Sequence, residues 1–120
     1  MKTTLRQLGI ADEPEDELIW QFIGTRDLDV PLDVTPASMD DLADICVDGD
    51  TLLSMFKMAT REQCQTVADY MARLKAESLS DAERTVVFNG DTLLNGYHRA
   101  VAAIKVGASL FAVDISKLPA

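Results

Sequence analysis

The sequence predicts a mixed α/β fold of the α+β kind, a small mixed sheet with helices packed on it. Three observations carry this. Leu28, Val30, Leu32 and Val34 alternate with polar residues and proline, the period of a half-buried strand. Cys64, Val67, Ala68, Met71 and Leu74 recur at helical spacing. Two apolar runs, Val86-Val87-Phe88 and Thr92-Leu93-Leu94, flank Asn89-Gly90, the residue pair favoured in tight hairpin turns.

The elements follow in order. Pro14, set among Asp12, Glu13, Glu15, Asp16 and Glu17, reads as a helix start, because proline suits the first helical position and acids suit the positive end of the dipole. Leu18, Ile19, Phe22 and Ile23 form its apolar face and Gly24 stops it. Pro31 pushes the strand over 28–34 toward a sheet edge, since it has no N–H to give a ladder. Thr35-Pro36 reads as an N-cap and first turn, with Met39, Leu42, Ala43 and Cys46 following at helical spacing. The run from Leu52 to Met58 reads as a short helix. Thr60 and Gln63 have the spacing of a capping box before the helix over 60–76. After the hairpin, a helix over Tyr97 to Val106 ends at Gly107, and Leu110 to Ile115 forms a last strand. Asp48-Gly49-Asp50-Thr51-Leu52-Leu53 echoes Asn89-Gly90-Asp91-Thr92-Leu93-Leu94, a similarity that chance and duplication explain equally well.

The chain of 120 residues fits a single domain, 1–120, with an acidic N-terminal part over 1–50 and a core over 51–116. Its net charge of −9 is uneven. Residues 1–50 carry 13 acids and 3 bases, whereas residues 51–120 carry 7 acids and 8 bases. Such a chain is repelled by nucleic acid overall, and its acidic part suits a basic protein partner. No apolar run approaches the ~20 residues of a membrane span, and the N-terminus lacks an apolar signal core. A cytoplasmic protein is expected. Cys46 and Cys64 are too few for a disulfide framework and are expected as buried thiols. With one histidine, no ordinary zinc site is expected. Asp48, Asp50 and Asp91 suit turn geometry better than metal binding.

The candidate site is Asn95, Gly96, His98 and Arg99. Glycine allows a sharp turn and close approach of a ligand, and the first-turn N–H groups of a helix lack intrahelical partners. Together they make a phosphate or nucleotide site, with Arg99 suited to a bidentate contact and Asn95 to a cap or a ligand oxygen. Paired against a carboxylate instead, Arg99 would be structural. No catalytic residue is assigned, and a nucleotide is the one cofactor suggested.

The stretch from Val87 to Gly107, with its hairpin, Gly96-Tyr97-His98-Arg99, small-residue helix and closing glycine, resembles the core of the ParB/sulfiredoxin superfamily over about residues 84–116. The resemblance implies that Gly96, His98 and Arg99 hold nucleotide phosphates. Tyr97 stands where sulfiredoxins have cysteine and partition proteins have glutamate, and Asn95 stands where nuclease-like members have aspartate. The resemblance therefore implies binding without reductase activity or CTP hydrolysis. Two other readings remain. One is an acidic interaction module, such as a phage or mobile-element inhibitor of a basic nucleic-acid-binding defence protein, docking through Asp12, Glu13, Glu15 and Asp16. The other is a nuclease-like enzyme. An apolar patch of Met55, Phe56 and Met58 would serve a homodimer or the core.

Overall fold

The computed structural model describes residues 1–9, 28–37, 46–47, 50–90 and 92–118. Among them it shows an α+β fold. A four-stranded sheet is built from β3 (Thr35–Ala37), β6 (Thr85–Asn89), β7 (Thr92–Asn95) and β8 (Leu110–Asp114). Two short antiparallel pairs accompany it: β1 (Lys2–Thr3) with β2 (Leu32–Asp33), and β4 (Cys46–Val47) with β5 (Asp50–Thr51). The helices are α1 (Leu52–Lys57), α2 (Arg61–Lys75) and α3 (Tyr97–Val106), and a 3₁₀ turn, Ile115–Lys117, follows β8.

The main sheet has the order β3-β8-β6-β7. Its centre is the parallel pair β6/β8, in register from Thr85 against Phe111 to Phe88 against Asp114. Antiparallel β7 and β3 flank the pair. Central parallel strands need cover on both faces, and their side chains alternate accordingly. Val86, Leu93, Leu110 and Ala112 join a cluster with Leu52, Val67, Leu74 and the Ala100–Ala103 stretch. Val87, Leu94 and Val113 join another with Leu5, Leu28, Leu32, Ile115 and Leu118. One face thus carries the helices and the other the N-terminal segment. That segment is held by Val34 N–H to Met1 O (3.0 Å), Arg6 N–H to Leu28 O (3.3 Å) and the Arg6–Asp29 pair (2.8 Å).

Several elements match their sequence signals. Thr60 and Gln63 form the reciprocal capping box, with the Thr60 N–H donating to Gln63 Oε1 at 2.7 Å and the Gln63 N–H to Thr60 Oγ1 at 3.2 Å. Residues 52–57 are helical, and α3 ends at Gly107, whose φ of 72° is left-handed. The echo has a structural counterpart, since in each copy a short antiparallel strand pair leads into a helix: β4–β5 into α1, and β6–β7 into α3.

Other expectations are corrected. Thr35-Pro36 is not a helix start. It lies in β3, where Pro36 sits opposite Phe111 on an edge strand, a place that tolerates a missing N–H. The strand over 28–34 is broken; only Leu32–Asp33 pairs, beside Pro31. Cys46 belongs to β4 rather than to a helix. The α2 face is narrower than its period suggests. Val67 and Leu74 are buried, but Ala68 and the free Cys64 are exposed, because α2 packs chiefly on α3. In the hairpin Asn89 pairs with Thr92, so Gly90 (φ 62°) opens the loop and Asn89 is the last residue of its strand. Phe56 is half-buried with Lys105 Nζ 5.8 Å from its ring centre, while Met58 is 78% exposed. The expected helix over 12–24, and residues 38–45 of the helix expected to open at Thr35-Pro36, fall outside the described residues.

Asp114 ties the hairpin to the sheet end. Its Oδ1 accepts from the Gly90 N–H and the Ser116 N–H, each at 2.9 Å. Burial alone would raise its carboxyl pKa, but these donors and nearby Lys117 hold it below the usual range. A depressed pKa contributes stability that is full above the unfolded value and lost as pH falls through the folded one. The stability gap between wild type and Asp114→Asn, from urea unfolding, is therefore expected to be widest at pH 7 and to close below about pH 4. Leu5, fully buried under the second face, gives a second prediction. Leu5→Ala should lower unfolding free energy by about 2–5 kcal/mol, whereas an N-terminal segment that is mere decoration would leave the urea midpoint unmoved.

Candidate functional site

The loop from β7 to α3 is built around Gly96. Its backbone is left-handed, at φ 99° and ψ 25°, and it occupies the N-cap position of α3 with no side-chain cap. A Cβ here would lie 2.6 Å from Val86 Cγ1 and 3.1 Å from Arg99 Nη2. Glycine is therefore required twice, for the conformation and for the approach of loop to sheet. A bulge assists: two steps along β7, Leu93 to Asn95, span the single step from Phe88 to Val87 on β6.

Arg99 does not face outward. Its Nη1 donates to Glu83 O (2.7 Å) and Thr85 O (3.0 Å), and its Nη2 donates to Asn95 Oδ1 (2.9 Å). The guanidinium thereby joins three places: the turn before β6, the start of β6 and the end of β7. Burial lowers its pKa, with Tyr70 and Glu83 opposing, yet an arginine stays charged. The structure thus brings Asn95, Gly96 and Arg99 together, with the Asn95 carboxamide engaged by Arg99 instead of capping α3. Its partners are backbone carbonyls and an amide, neither the carboxylate nor the phosphate considered from sequence.

His98 is placed differently. It is half-buried and lines a small cavity of about 60 Å³ with Leu52, Phe56, Gln63, Tyr97 and Val101. Among the described residues its ring has no hydrogen-bond partner, and neither do the backbone N–H groups of His98 and Arg99. The intrahelical ladder starts with the Ala100 N–H to Gly96 O at 2.8 Å. Uncapped first-turn donors beside an imidazole can receive an anion. Gln63 is the neighbour that sequence reading did not associate with the site. Its capping-box spacing fixed its local role, but only packing of α2 against α3 brings it to His98.

The proposed docking residues Asp12, Glu13, Glu15 and Asp16 lie outside the described residues. Among the described residues no three His, Cys, Asp or Glu side chains converge to hold a metal ion, and no helix is long and apolar enough to cross a membrane. No family model, curated protein or solved structure matches this chain.

Two substitutions probe the geometry. Gly96→Ala should cost about 2–4 kcal/mol, combining a strained backbone with the clash against Val86. Arg99→Lys keeps the charge but not the fork that reaches three acceptors, and should cost about 1–3 kcal/mol. Urea denaturation checks both; a wild-type midpoint for Arg99→Lys would mean the clamp is not structural.

Proposed function

We propose that this chain is a ParB-like domain that binds a phosphate group, free or on a nucleotide, at the start of α3, without catalysing its transfer or hydrolysis. The observation that carries the reading is the uncapped, glycine-led N-terminus of α3, with the His98 and Arg99 N–H groups unpartnered among the described residues. A helix N-terminus of this kind offers directed donors and a positive dipole end to an anion. His98 supplies the adjacent side chain. Arg99 acts from behind as a positioning residue, since its clamp holds Gly96 and the first turn in place. The order of hairpin, glycine turn, helix and parallel strand supports the resemblance to the ParB/sulfiredoxin core.

Calorimetric titration with inorganic phosphate and with purine and pyrimidine nucleoside triphosphates tests the reading. Wild type should release or absorb heat saturably, and His98→Ala should weaken binding by about tenfold, or 1.4 kcal/mol, with an unchanged circular dichroism spectrum. Failure of wild type to bind any of these anions at millimolar concentration would overturn it.

A further inference from the structure

A larger cavity, about 610 Å³, shares no lining residue with the α3 site. It opens at the carboxyl ends of β6 and β8, where Phe88, Gly90 and Asp114 meet the segment 31–37. Open α/β sheets commonly receive ligands outside the carboxyl ends of their parallel strands, and this volume lies within the range of small-molecule sites. Its apolar lining comes from Leu32, Ala37, Phe88, Ala112 and Val113, with Pro31 and Pro36.

Its charges are unequal in exposure. Asp114 is half-buried, and the Gly90 and Ser116 N–H groups, together with the Ser116 side chain, fix its carboxylate. Asp33 is a second carboxylate in the lining. One ammonium, that of Lys117, stands in the lining against these two carboxylates. Lys117 is exposed, and Lys2 meets Asp33 at 3.2 Å in a pair whose side chains are 64% and 78% exposed. Exposed charges are screened by water and salt, and such pairs hold weakly. Two carboxylates against one ammonium leave the lining net negative, in a chain of net charge −9.

We propose that this cavity binds a small molecule with a flat apolar ring and a protonated amine, the ring resting against Phe88 and the amine on the Asp114 carboxylate. Aromatic packing supplies the contact area, and a charge-assisted hydrogen bond to a preorganised carboxylate supplies orientation. The site is independent of the anion site at α3.

The experiment is an amide-resolved NMR titration of the full chain at low salt, using tyramine and benzylamine as cationic probes. Benzyl alcohol and phenylacetate serve as the neutral and anionic counterparts. The amines should shift the amides of Phe88, Ala112, Val113 and Asp114 and bind about tenfold more tightly than either counterpart. Asp114→Asn should remove that preference. Because this variant also loosens the hairpin, Lys117→Glu on the exposed rim provides the second arm, and should tighten amine binding at least twofold. The proposal fails if no probe shifts these amides, if the neutral or anionic ring binds as well as the amine, or if Lys117→Glu leaves amine affinity unchanged.

Discussion

A parallel pair of strands that is apolar on both faces cannot stand at a protein surface, and β6/β8 is such a pair. Val86 and Val87 are successive residues with almost no exposure, and they face opposite sides. Each face demands its own cover. The helices supply one, with α3 lying so close that Ala100, Val101, Ala102 and Ala103 are all buried. A helix buried around its girth needs small side chains to fit between neighbours. The N-terminal segment supplies the other cover through Leu5, Leu28 and Leu32. The acidic first part of the chain is thus more than a soluble appendage, because portions of it complete the core.

That same demand explains the α3 junction. For α3 to lie flat on the sheet, the chain must turn sharply out of β7 with its backbone nearly touching Val86. Gly96 makes this turn sterically feasible. Arg99 then donates to the carbonyls of Glu83 and Thr85. One arginine thereby ties the helix to two strands. An arginine so occupied retains donors only on Nε and on one Nη2 position, which leaves backbone N–H groups and His98 as the groups proposed to meet a ligand.

The hairpin, the capping box, the helix ending at Gly107 and the last strand were legible in the sequence. Each depends on residues close together in the chain, as with Thr60 and Gln63 or Gly107 and the α3 C-terminus. The membership of Thr35-Pro36 in β3 was not legible. Locally the pair suits a helix start, but β8 offers it a ladder 75 residues or more downstream, with the Thr35 hydroxyl donating to Ala112 O at 3.4 Å. The exposure of Cys64 and Ala68 was hidden for a similar reason. Helical period shows which residues share a face, not how wide a strip the neighbouring helix covers. Asp114 left a faint local trace, an aspartate two residues before Ser116 as in an Asx turn, but its bond to Gly90 joins the ends of neighbouring strands 24 residues apart in the chain.

By itself, the sequence determined the elements from Leu52 onward, the glycine turn ahead of α3 and the choice of residues 95–99 as the candidate site, since these follow from short-range sterics and period. Tertiary structure alone decided which way each side chain of that site points. Arg99 turns inward to donate to the carbonyls of Glu83 and Thr85, and His98 turns to a cavity formed where α1, α2 and α3 meet. Those outcomes depend on groups brought together from separate parts of the chain, which no local pattern encodes.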